Sequence, residues 1–150
     1  MMSKTNIHRA ATVAAFMALA LVCSSCLDVG DDSDTPPFCI HSTLPDDGEE
    51  NVPLNYPAIV VTFETDVDPA SVTDSRLVVR DASGAVVDGD VSASGVTAEF
   101  RLPSKVYFSP MTTYTVTVKG DITDIRGRPL SRCMNGDYEF TFTTGTEMSD

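Results

Sequence analysis

From Cys39 to Gly145 the chain repeats one local pattern: runs of about five residues in which apolar and polar side chains alternate, interrupted by turn residues such as Pro, Gly, Asp and Asn. Ile59, Val61 and Phe63 alternate with Val60 and Thr62, and Leu77 and Val79 sit between Arg76, Val78 and Arg80. Val96, Ala98, Phe100 and Leu102 alternate with Thr97, Glu99 and Arg101, and Tyr114, Val116 and Val118 with Thr113, Thr115, Thr117 and Lys119. Tyr138, Phe140 and Phe142 close the series, interleaved with Glu139, Thr141 and Thr143. Successive side chains of a strand point to opposite faces, so every run has one face to bury and one to wet. A helix needs apolar residues three and four apart, and no stretch here sustains that spacing. The Val- and Thr-rich outer faces also suit strands better than helix.

Two weaker strands extend the count: Cys39 to Leu44, before the turn Pro45-Asp46-Asp47-Gly48, and Ala85 to Val91, after the turn Asp81-Ala82-Ser83-Gly84. About seven short antiparallel strands, each with one polar face, predict an all-β domain, an immunoglobulin-like β-sandwich over residues 38–146. A small barrel is the alternative closure. The turns carry their own chemistry. In Asp46-Asp47-Gly48 and Asp124-Ile125-Arg126-Gly127 an early Asp bonds nearby backbone N–H groups and a closing Gly supplies φ > 0. Asp68-Pro69 fixes a turn before Ser71. Tyr114, which follows Ser109-Pro110 at a strand start, is either a tyrosine corner pinning that loop or one more core aromatic.

The order of these motifs resembles the bacterial Ig-like domains first recognised in S-layer proteins. The carriers are Leu44-Pro45-Asp46-Asp47-Gly48, Asn51-Val52-Pro53-Leu54-Asn55, Ile59-Val60-Val61-Thr62-Phe63, Val67-Asp68-Pro69-Ala70-Ser71-Val72, the Thr113 to Val118 strand, Thr123 to Leu130, and Phe140-Thr141-Phe142-Thr143-Thr144-Gly145. The resemblance covers roughly residues 39–145. It implies a seven-stranded sandwich that serves as a spacer or adhesion module of exported proteins, with no catalytic residues to carry over.

The first segment reads as an address. Residues 1–10 hold Lys4, His8 and Arg9 and no acid, and an apolar run follows to Val22, interrupted by Thr12. A basic start and an apolar stretch shorter than the ~20 residues of a membrane span mark a signal peptide over residues 1–25. Cys23-Ser24-Ser25-Cys26 then resembles the lipobox of bacterial lipoproteins, which implies cleavage before Cys26 and its acylation. The −3 position holds Cys23 where the family prefers Leu. Leu27 stands where Asp marks inner-membrane retention in that family, so an outer-membrane destination in the cell envelope is favoured. Residues 26–37 continue with four acids, one Gly and two Pro around a single Val, a composition that stays solvated as an acidic tether.

Two cysteines remain in the domain. Cys39 opens the first strand and Cys133 precedes the last, so a disulfide between them is sterically plausible in an oxidising compartment; free thiols are the other reading. A metal site from Cys39, His41 and Cys133 lacks a second close ligand pair. His41 is the one His after residue 25, and no Gly-x-Ser-x-Gly accompanies it, so no nucleophilic centre is expected. Loop carboxylates in Asp66-Val67-Asp68 and Asp121 to Asp124 are the candidates for calcium, set against their role as turn openers. Tyr107 and Phe108, side by side in the loop Ser104 to Pro110, are the candidate ligand contact.

A formal net charge of −12, from 10 Lys+Arg against 22 Asp+Glu, argues against nucleic acid as a partner. Removing residues 1–25 discards Lys4 and Arg9 and no acid, which makes the balance more negative. The expectation is therefore a non-enzymatic, lipid-anchored envelope protein with no cofactor and no resident metal. Its partners are the membrane, through the anchor, and an envelope protein or glycan. A ligand-binding module that uses its end loops is the competing class. Nothing in the sequence speaks to oligomeric state.

Overall fold

The computed structural model describes residues 35–150. The signal peptide expected at 1–25, Cys26 and the tether up to residue 34 lie outside the described residues. Eight strands form: β1 (Ile40–Leu44), β2 (Glu49–Val52), β3 (Ile59–Phe63), β4 (Leu77–Arg80), β5 (Asp90–Ser94), β6 (Thr97–Arg101), β7 (Thr113–Val118) and β8 (Tyr138–Thr144). A 3-10 turn at Pro69–Ser71 and one helical turn, α1 (Ser131–Met134), complete the elements. One four-stranded sheet has the order β1-β3-β6-β5 and the other β2-β8-β7-β4.

In β3, β6 and β8 the alternation read from the sequence is the alternation of burial, whereas β4 and β7 also bury Val78 and Thr117, which the alternation assigned to the wetted face. In β3, Ile59, Val61 and Phe63 are buried while Val60 and Thr62 are half-buried. Ala98 and Phe100 of β6, Tyr114, Val116 and Val118 of β7, and Phe140 and Phe142 of β8 fill the space between the sheets. Crossings between sheets at β1–β2, β2–β3, β3–β4, β4–β5 and β6–β7 bring these faces together, and the shared interior offsets the conformational entropy that short strands cannot recover alone.

The strand count and pairing differ from expectation in two places. β2 is an eighth strand, and it pairs with β8 in parallel, Glu49 opposite Phe142 and Val52 opposite Thr144. The Asp46-Asp47-Gly48 turn places it there: Gly48 N donates to Thr141 O, and Thr141 N donates to the Asp47 carboxylate. The segment Ala85 to Val91 is no single strand. Its first part folds back on β4, with Asp81 N donating to Ala85 O and Val87 N to Val79 O, so it covers a free sheet edge. Only from Asp90 does the chain join the other sheet beside β6.

The register gives the sandwich two ends. At one, the near end, β1 begins, β3 finishes, β4 and β8 begin and β7 finishes. At the other, the far end, β1, β4, β6 and β8 finish and β3, β5 and β7 begin. Described chain enters at the near end through Phe38 and Cys39, and β8 delivers residues 145–150 to the far end.

Candidate functional site

At the near end, Phe38 is buried and its ring stacks on Phe63 with centroids 4.8 Å apart, so the core begins at the first residue after the expected tether. The next residue, Cys39, forms a disulfide with Cys133, Cα atoms 5.6 Å apart across a sequence separation of 94. Cys133 sits in α1, which Asn135 ends in the left-handed conformation, φ 61°, with its N–H on Ser131 O. Lys119 Nζ holds the Asp137 carboxylate at 2.7 Å just before β8, and Gly120 N donates to the same side chain. The Lys119 hydrogen bond, then that from Gly120, holds the Asp137 carboxyl below its ordinary pKa.

Buried polar groups tie the near-end loops to one another. Ser71 Oγ donates to Asp68 O and accepts from Thr123 N at 3.1 Å. Asp68 caps the 3-10 turn, its carboxylate accepting from Ala70 N. Asp124, 1% exposed, accepts from Arg126 N at 3.0 Å and Arg128 N at 2.8 Å, and pairs with Arg128 Nε at 2.7 Å. Burial pushes the Asp124 carboxyl up, but the hydrogen bonds from Arg128 and Arg126 outweigh it, and the pKa lies below the ordinary carboxylate value. Gly127 closes this turn at φ 77°, a conformation in which a side chain is strained. The expected opening of turns by Asp is therefore what Asp68 and Asp124 do, whereas Asp47 of the Asp46-Asp47-Gly48 turn bonds Thr141 N of β8 and no nearby backbone group.

These contacts bear on the calcium candidates. Asp68 and Asp124 already accept backbone N–H groups, and Asp121 pairs with Arg76 at 3.0 Å. Among the described residues no group of three His, Cys, Asp or Glu is placed to hold a metal ion. His41 lies on the surface with Glu64 at 3.0 Å.

At the far end, Tyr114 takes the tyrosine-corner role: its hydroxyl accepts from Ser109 N at 2.8 Å while its ring packs between Phe108 and Phe142. Thr144, buried at the end of β8, donates to Ser109 O at 2.6 Å and accepts from Thr112 N at 3.0 Å. The sequence gives Thr144 no role beyond its place in the closing motif Phe140 to Gly145. Its signal was the continued alternation after Phe140 and Phe142, which carries the buried face one residue pair further.

The Tyr107–Phe108 pair divides. Phe108 is 4% exposed, edge-on to Tyr114 and to Phe142, so it is a core residue and no ligand contact. Neighbours on an extended chain point to opposite sides, and Tyr107 is 49% exposed. Leu44, Val86, Val106, Met111 and Met148 are also exposed at this end, leaving only Val96 and Ile125 of the large exposed apolar side chains among the described residues at the near end. Three loops there share backbone bonds: Phe108 N to Leu54 O, Leu54 N to Glu147 O, and Met111 N to Gly145 O. They form one surface, with a shallow depression beside Asn51, Met111 and Gly145.

Comparisons with known proteins agree with this architecture. A family model described as a bacterial Ig-like domain matches residues 33–144. The crystal structure of CopC from Methylosinus trichosporium OB3b superposes with a TM-score of 0.58 at 12% identity, covering 75% of this chain and 98% of that one. Domains 1–6 of the surface layer protein SbsC align with a TM-score of 0.49 at 20% identity, over 75% of this chain and 14% of that one. At 12% identity the first likeness establishes the fold alone. No curated protein matches the chain.

Proposed function

The chain belongs to the bacterial Ig-like domain family, and from that premise we propose that it is a non-enzymatic envelope module, lipid-anchored at Cys26, that holds a rigid β-surface off a membrane. The observation that carries this reading is polarity: described chain enters at the near end, and the exposed apolar side chains gather at the far end. Anchored through the near end, the sandwich would stand with that surface outward, its longest strand, the seven residues of β8, adding roughly 20 Å to the tether's reach. The Cys39–Cys133 bridge fits an exported protein, because disulfides persist outside the reducing cytosol. The basic, apolar first segment supplies the export signal, and Leu27 after the cysteine favours the outer membrane.

Metabolic labelling with a clickable fatty acid tests the anchor. Wild type takes up label and Cys26→Ala does not; an unlabelled wild type rejects the lipoprotein reading. One observation favours a second reading, a module that binds an envelope protein or glycan: Val106, Tyr107, Met111 and Met148 remain exposed on loops that are otherwise well bonded. A partner recovered from envelope extract by wild type and lost with Tyr107→Ala would establish it, and equal recovery by both proteins would place binding elsewhere.

A further inference from the structure

We infer that the Cys39–Cys133 bridge and β8 form one covalent load line through the domain, so that tension between tether and far end bypasses the rest of the sandwich. The inference deepens the envelope-spacer reading and rests on it only for the direction of the pull. The geometry is in the register. A pull on the tether arrives at Cys39, at the near end, one residue before β1. Its sulfur passes the load to Cys133, five residues before β8 begins at Tyr138. β8 runs from near end to far end, between β2 and β7, and hands the load to Gly145.

Two consequences follow from strand physics. β8 is already extended at about 3.3 Å per residue, close to the maximum a chain can reach, so loading it along its axis yields almost no length. Residues 40–132, which include β1 to β7, lie off the line. Their ends are held 5.6 Å apart by the bridge, and they cannot be drawn out while it is intact. Only the segment around α1 and Asp137 can straighten, by giving up the Lys119 and Gly120 contacts to Asp137.

Without the bridge the same pull takes another path. It enters β1, an edge strand whose one sheet neighbour is β3, through four register pairs broken by a shift between Ile40 and Ser42. That strand is sheared off first, and the core behind it opens. The chain freed between Cys39 and Cys133 is then about 300 Å, from a separation of 94 at ~3.3–3.6 Å per residue. The bridge thus turns an extensible domain into a nearly inextensible link.

Constant-force tweezers test this on the full chain, held by peptide tags at both ends, in a Cys23→Ser/Cys26→Ser background that leaves Cys39 and Cys133 as its cysteines. The oxidised molecule should hold its length under load, then lengthen by about 300 Å when a phosphine reductant is added at the same force. The Cys39→Ser/Cys133→Ser variant should show that lengthening without reductant. A 300 Å step in the oxidised molecule, or no lengthening on reduction, overturns the inference; the latter means that the sandwich itself bears the load. Fatty-acid labelling reports on the anchor separately, so either idea can fail alone.

Discussion

Replacing Cys39 and Cys133 together by Ser is the perturbation whose size the fold fixes best. The bridge closes a loop with a sequence separation of 94, for which the chain-entropy relation gives about 4.6 kcal/mol at 25 °C. Little is lost on the folded side, because Cys133 is exposed and Phe38, beside Cys39, keeps its stack on Phe63. The loss is therefore expected near that figure, or roughly 15–20 °C in melting temperature for a domain of this size. The chain has no Trp, so far-UV circular dichroism through a urea titration is the suitable assay, with the wild type measured oxidised and reduced. The reduced wild type should match the double variant in midpoint, and both should show a steeper slope than the oxidised protein, because an uncrosslinked unfolded chain exposes more surface. A loss under about 1 kcal/mol would refute the reasoning, and so would a difference between reduced wild type and variant as large as the effect itself.

Three smaller perturbations probe individual contacts. Tyr114→Phe removes the acceptor for Ser109 N and should cost about 1–2 kcal/mol, read as a melting shift of several degrees with the fold unchanged. Phe108→Ala should cost about 3–5 kcal/mol while Tyr107→Ala stays within about 0.5 kcal/mol, a contrast in paired urea midpoints that separates core from surface in adjacent residues. Asp124→Asn should cost about 2–3 kcal/mol at neutral pH, since it strips the charge from a carboxylate facing the largely buried Arg128. The folded-state pKa of Asp124 is depressed, so its stabilisation is full above the unfolded carboxylate value near 3.9 and fades as pH falls further; the gap between wild type and variant should close below about pH 4.

Much of this fold was legible because its strands are half-buried. A run such as Thr113 to Val118 or Tyr138 to Thr144 writes its buried face into the chain at every second residue, and both formed where the alternation lies. The turns were legible for a local reason, since Asp68 and Asp124 bond to backbone groups within four residues of themselves. Tertiary pairing was not. Glu49-Glu50-Asn51-Val52 has one buried side chain in four, and only its contact with β8 makes it a strand. Ala85 to Val87 has strand composition but spends its backbone bonds on β4 before the chain reaches the other sheet. The candidate site divided in the same way. Cys39 and Cys133 were marked by their positions beside the first and last strands, and the structure joins them. Tyr107 and Phe108 were equivalent as composition, and only the arrangement of Tyr114 and Phe142 decides which of them is inside.

The proposed envelope role requires cleavage before Cys26 and acylation of that residue, beside the bridge between Cys39 and Cys133. Intact-mass spectrometry of the protein extracted from its own membranes, without reductant, reads all three at once. The predicted species starts at Cys26, carries a diacylglyceryl group on that residue, and weighs about 2 Da less than its reduced form, the two hydrogens that one S–S bond removes. A species that begins elsewhere with Cys26 absent or unmodified, or one whose mass does not change on reduction, would contradict it.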